Sequence, residues 1–109
     1  MTILEVQTRE EAGAVHLALT GELDLSNVDK VEDELRRVEG DGPETVVIDL
    51  SSLSFLDSTG LRTIVTADQR ARKAGRRLAI VKGPETVHRV FTITRLDERL
   101  DMVNGAGDV

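Results

Sequence analysis

Asp57, Ser58, Thr59 and Gly60 place a carboxylate, two hydroxyls and a glycine between a β-branched run and a segment of helical periodicity. A helix that starts there leaves backbone N–H groups unpaired and carries positive dipole charge. The position therefore suits a capping oxygen or an anion such as phosphate. On local chemistry alone Ser58 reads first as an N-cap, worth ~1 kcal/mol to its helix. Catalysis asks for more than the sequence supplies. The aspartic-protease signature has one residue between Asp and Gly. Here two intervene and no second copy follows, so a two-carboxylate dyad cannot be assembled. A serine nucleophile wants the Gly-x-Ser-x-Gly elbow and a histidine base. The residues around Ser58 do not spell that elbow, and neither His16 nor His88 is tied to it by spacing. A hydrolase built on Ser58 thus has no apparatus behind it, and we assign no catalytic residue.

Other chemistry-bearing residues lie nearby. Gly21-Glu22-Leu23-Asp24 forms an expected loop with two carboxylates, which read as solvated side chains unless the fold carries them to Ser58. Arg62 follows the central group on the second helix, either as a contact residue or simply exposed. Arg70, Arg72 and Lys73 fall near that helix's end, where cations complement the dipole, and Arg76 and Arg77 extend the basic group. Without cysteine, sulfur ligands and thiolate chemistry are excluded. No metal-ligand spacing, Walker pattern or dinucleotide glycine pattern is present, so neither metal nor cofactor is expected.

The elements that must position these residues follow from periodicity. Residues 3–8 and 14–20 read as strands joined by the polar turn Arg9–Gly13. In the second, Val15, Leu17 and Leu19 alternate with Ala14, His16, Ala18 and Thr20. One large apolar face and one small or polar face imply helices on one side of the sheet. Ser26, with Asp29 three residues on, is the expected cap of a first helix. Val28, Val31, Leu35 and Val38 form its inward stripe, and Gly40–Pro43 stops it. A strand at 45–50 precedes the central group. The second helix turns Leu61, Ile64, Val65 and Ala71 inward and ends at Gly75. A strand at 78–81, a third helix opened by Pro84 at its first position with Val87, Val90 and Phe91 inward, and a short strand near 100–103 complete the order. Residues 104–109 are expected to fray. This β-β-α-β-α-β-α-β order predicts a single α/β domain over 1–109. Its sheet is mixed but mostly parallel, of four to five strands, with helices mainly on one face.

The bulk composition narrows the partners. Twenty acidic residues against fourteen basic give a net charge of −6, and Trp and Tyr are absent. Direct nucleic-acid binding wants the opposite balance. No apolar run reaches the roughly 20 residues of a membrane span, and no secretory pattern opens the chain, so a cytoplasmic location is expected.

Three segments together resemble the STAS domain, specifically the bacterial anti-sigma factor antagonists. They are Leu19-Thr20-Gly21-Glu22-Leu23-Asp24; the run Val47–Leu61 that holds Asp57-Ser58-Thr59-Gly60-Leu61; and Val87-His88-Arg89-Val90-Phe91 leading to Leu96. Their order and spacing cover about the first hundred residues. The resemblance implies a non-enzymatic switch protein. When unphosphorylated, such an antagonist binds an anti-sigma factor that is itself a GHKL-type serine kinase, releasing the sigma factor. Phosphorylation at the serine after the Asp, here Ser58, switches it off, and a PP2C-type phosphatase reverses the mark. Asp24, Asp57, Ser58, Thr59, Gly60 and Arg62 are then the expected partner-binding residues. Alternatives within the resemblance are a STAS subunit of a stressosome-like complex or of a lipid ABC transporter, and a nucleotide-binding STAS module. Many members carry a further helix after the last strand, where this chain shows only its glycine-containing tail.

Overall fold

The computed structural model describes residues 3–109. Met1 and Thr2, the start of the expected domain, lie outside them. Five strands form one sheet in the order β1-β2-β3-β4-β5. These are β1 (Leu4–Glu11), β2 (Ala14–Leu23), β3 (Thr45–Leu56), β4 (Arg77–Val81) and β5 (Asp101–Val103). β1 is antiparallel to β2, and every later pair is parallel. The first turn is shorter than expected. Only Ala12 and Gly13, both at positive φ, separate Glu11 from its partner Ala14, the geometry of a two-residue hairpin.

Three helices, α1 (Val28–Gly40), α2 (Ser58–Lys73) and α3 (Glu85–Ile93), connect the parallel strands. Their stripes meet one sheet face, as the alternation in β2 requires. Val31, Leu35 and Val38 of α1, Leu61, Ile64 and Ala71 of α2, and Val87 and Phe91 of α3 pack with Val15, Leu17, Leu19, Ile48 and Ile80. Val65 is only half-buried, while Ala67 and Asp68 also turn inward. Pro84 sits one position earlier than expected, at the N-cap of α3. The opposite face holds His16, Val47, Ala79 and Val81, all buried. On that side the tail makes a 3₁₀ turn, Ala106–Asp108, and Ala106, Gly107 and Val109 line a hollow with Arg9, His16, Thr45 and Arg77.

The main departure from the sequence reading lies in β2 and β3. Both run further, to Leu23 and Leu56, absorbing residues expected to be loop. The reason is a pair of irregularities in β3. Ala18 faces Asp49 but Thr20 faces Ser52, and Gly21 faces Leu53 but Glu22 faces Phe55. Each shift gives β3 one residue more than β2. The bulges turn Leu50, Leu53 and Leu56 inward at intervals of three instead of two, so the alternation that marks a strand is lost to the eye. Gly21 permits the tight approach beside them. Its φ is +112°, and a Cβ there would stand 2.2 Å from the Ile3 carbonyl oxygen, which accepts a bond from Glu22 N–H at 3.0 Å.

Charged side chains fasten the helices to this frame. Arg70 of α2 donates from Nε and Nη2 to Glu39 of α1, both at 2.8 Å. Its Nη1 faces Glu32 at 3.1 Å as an ion pair without hydrogen-bond alignment. Arg72 binds Asp68, Arg76 the Pro43 carbonyl and Arg77 Asp101. The basic group is therefore largely spent on internal contacts, beyond the dipole complement expected of it. On α1, Glu34 accepts from Arg37 and from the Thr8 hydroxyl of β1, and these two donors hold its carboxyl down to about 2.

Candidate functional site

Because β2 and β3 are parallel, both end at the same edge of the sheet, with Leu23 opposite Leu56. The loops that follow are therefore neighbours, and Asp24 is brought to the start of α2 across more than thirty intervening residues. In open α/β sheets this carboxyl edge is where ligands and partners are met.

Asp57 organises the junction. Its N–H donates to the Leu23 carbonyl at 3.2 Å, and its backbone is extended. One carboxylate oxygen, Oδ1, accepts from Gly60 N–H at 2.9 Å, and the other, Oδ2, accepts from Leu25 N–H at 3.1 Å. Asp57, not Ser58, is thus the N-cap of α2. An aspartate satisfies an N3 amide as a serine would and adds its charge to the positive helix end. Ser58 is left at the first helical position, exposed. Among the described residues its hydroxyl makes no hydrogen bond, and the N–H groups of Ser58 and Thr59 find no acceptor. The helix end is capped once and still holds two donors for an incoming anion.

The β2–α1 loop is held by its own side chains. Asp24 Oδ1 accepts from Ser26 N–H at 2.9 Å and from Ser26 Oγ at 2.6 Å. Asp24 N–H donates to Asn27 Oδ1, and Asn27 Nδ2 donates to the Glu22 carbonyl. Ser26 is therefore a turn residue instead of the expected cap. Asn27 occupies the N-cap position of α1 without a side-chain cap bond, because its amide is engaged across the loop.

The remaining expected residues separate by burial. Thr59 is half-buried and Arg62 exposed, and among the described residues Arg62 makes no ion pair. Gly60 is buried, and a Cβ there would meet Leu56 Cδ1 at 2.7 Å and Leu23 Cγ at 2.8 Å, so its lack of a side chain lets α2 pack closely on the sheet. Two residues at the junction escaped sequence reasoning. Leu25, 73% exposed, and Phe55, 46% exposed, line an open depression with Asp24, Ser26 and Asp57. The available signal was a leucine inside an otherwise polar loop.

Neither histidine is brought to Ser58. His16 pairs with Val47 near the opposite end of β3, and His88 stacks on Phe91 of α3. Among the described residues no three His, Asp or Glu side chains are grouped to hold a metal ion, and no helix is long and apolar enough to cross a membrane.

This junction, on this sheet order, defines a small α/β module with a hydroxyl displayed at a helix start. The chain belongs to the STAS domain family, whose model matches residues 5–107. It is 26% identical to an anti-sigma-B factor antagonist of Staphylococcus aureus over 102 residues, 94% of each chain. Among solved structures, an anti-sigma factor antagonist from Mycobacterium paratuberculosis superposes with a TM-score of 0.89 at 23% identity, over 97% of this chain and 90% of that one. The Bacillus cell fate determinant SpoIIAA in its phosphorylated form gives 0.75 at 21% identity, over 95% and 94%. At these identities the structural likenesses speak for the fold.

Proposed function

We propose that the chain is an anti-sigma factor antagonist that binds its anti-sigma factor when Ser58 is unmodified and releases it when Ser58 is phosphorylated. The observation that carries this reading is Ser58 itself, an exposed hydroxyl on the first turn of α2, beside two unspent backbone donors and two carboxylates. The names of the curated relatives support the class of partner. In this reading the anti-sigma factor is a GHKL-type serine kinase that modifies Ser58, and a PP2C-type phosphatase restores it. Thr59 and Arg62 border the docking surface, and Asp24 and Asp57 shape it from beneath. The protein works in the cytoplasm as a substrate and ligand of other enzymes.

The physics of the switch follows from the junction. A phosphate on Ser58 adds about −1.5 to −2 charges. The N–H groups of Ser58 and Thr59 and the helix dipole accommodate that charge, so the domain stays folded. A partner fitted to a hydroxyl instead meets a bulky dianion beside Asp57 and Asp24. Each ~1.4 kcal/mol of such mismatch weakens binding tenfold.

The test is incubation with the anti-sigma factor kinase of the same organism and ATP, followed by mass spectrometry and a binding titration. One phosphate on Ser58, retained circular dichroism and at least about a hundredfold loss of affinity are expected. Modification elsewhere, unfolding of the phosphoprotein or undiminished binding refutes the reading.

A further inference from the structure

The face of the sheet away from the helices carries a buried polar atom that the antagonist reading does not use. Along β2 that face receives Ala14, His16 and Ala18, one imidazole between two methyl groups. The histidine is 7% exposed, and among the described residues its buried Nδ1 has no hydrogen-bond partner. A valine would fill that strand position without leaving a nitrogen unpaired, so the histidine makes the fold less stable than it need be.

Strand pairing sets Arg9 of β1 and Val47 of β3 on either side of His16, and Gln7 and Asp49 on either side of Ala18. Because alanine is short, the sheet sinks at Ala18 between longer neighbours. The result is a hollow of about 470 Å³ lined by Gln7, Thr8, Arg9, His16, Ala18 and Asp49, within the size of small-molecule sites. Thr8 turns its hydroxyl to Glu34 on the helix side, so the polar side chains left to the hollow are Gln7, Arg9, His16 and Asp49.

Two of these bear opposite charges that contacts within the chain leave largely unspent. Among the described residues Arg9 meets only Glu11, through one nitrogen at 3.5 Å, and both side chains are more than half exposed. Its guanidinium fork is therefore open to a carboxylate. Asp49 Oδ1 accepts from Ser51 N–H at 2.9 Å, which leaves Oδ2 for a donor. A simple anion would be repelled by Asp49, and a simple cation by Arg9. A molecule that carries both charges suits the pair. It also suits the imidazole in either tautomer, since Nδ1–H donates to a carboxylate and a bare Nδ1 accepts from an ammonium.

We propose that this hollow binds a small zwitterion of the α-amino-acid class, with its carboxylate on Arg9, its ammonium at Asp49 and one of the two on His16 Nδ1. The site is separate from Ser58, because His16 pairs near the start of β3 and Ser58 follows the end of that strand. The proposal therefore stands apart from the antagonist reading.

The experiment records proton–nitrogen correlation spectra of the full chain, imidazole nitrogens included, while each standard amino acid is added singly to about 10 mM. Acetate, ethylammonium and inorganic phosphate are added in parallel as single-charge-sign controls. At least one amino acid should move the His16 Nδ1 resonance together with the Ala18 and Asp49 amides, saturating with a Kd of about 1 mM or below. Each control should bind at least about tenfold more weakly. Arg9→Gln and Asp49→Asn should each weaken binding about tenfold or more, and Arg89→Gln, on α3 at the helix side, by less than about twofold. Arg9 is exposed, so Arg9→Gln is expected to keep the wild-type melting temperature and carries the test whatever Asp49→Asn does to its strand. Absence of any shift at His16, a control that binds as tightly as the best amino acid, or binding within about twofold of wild type in Arg9→Gln overturns the proposal.

Discussion

Replacing Asp57 by alanine should loosen two elements at once, because a single carboxylate serves both. Its Oδ1 caps α2 through Gly60 N–H at 2.9 Å, and its Oδ2 holds the β2–α1 loop through Leu25 N–H at 3.1 Å. Loss of an N-cap costs about 1 kcal/mol, within a range of roughly 0.5–2. The second bond lies at the surface, where water competes, so we assign it about 0.5–1 kcal/mol. The total is about 1.5–2 kcal/mol. For 109 residues the unfolding entropy is about 0.23 kcal/mol/K, so the melting temperature should fall by about 7–9 °C. Asp57→Asn keeps one acceptor oxygen and should lose about half as much. Thermal unfolding followed by circular dichroism gives the shift, and amide hydrogen exchange gives its location. In Asp57→Ala the amides of both Gly60 and Leu25 should exchange faster. A melting temperature within about 1 °C of wild type, or a Leu25 amide whose protection is unchanged, would refute the shared-anchor argument.

Two further predictions concern the frame. Gly60→Ala should lower the melting temperature, by up to about 9 °C. The new Cβ meets Leu23, which has no exposure into which to move, and overpacking of this kind costs about 1–3 kcal/mol against less than about 1 kcal/mol gained in helix propensity. A rise in calorimetry would mean that Leu23 and Leu56 repack freely. Glu34 titrates near 2 in the folded chain because Arg37 and Thr8 bond its ionised form, below its ordinary value of 4.5. A carboxyl depressed on folding stabilises the protein above its unfolded value and loses that contribution as pH falls through the folded one. The melting-temperature gap between wild type and Glu34→Gln should therefore be full above about pH 5 and closed near pH 2. A gap that does not change with pH would show that the Thr8–Glu34–Arg37 contacts contribute nothing through charge.

Much of this architecture was written locally in the chain. The stripe Val31, Leu35, Val38 and the alternation Val15, Leu17, Leu19 each lie within one element, and a period of 3.6 or 2 needs no partner to be read. They sufficed for the order of elements, for helices gathered on one face, and for Ser58 at the start of α2. The resemblance carried the family. What escaped was decided between elements. The bulges of β3 exist only relative to β2, so Leu53 and Leu56 broke the expected alternation and the strand looked as though it ended at Leu50. Arg70 reads as a dipole complement until α1 lies beside it and offers Glu39 and Glu32. The same holds at the junction. Local propensity makes Ser26 and Ser58 good caps, yet Asp24 claims the first and Asp57 displaces the second. The chain alone determined that a hydroxyl would stand at a helix start. Only the parallel register of Leu23 with Leu56 brought the Asp24 loop and Leu25 to its side, because strand pairing is a contact between residues distant in sequence and leaves no local period to read.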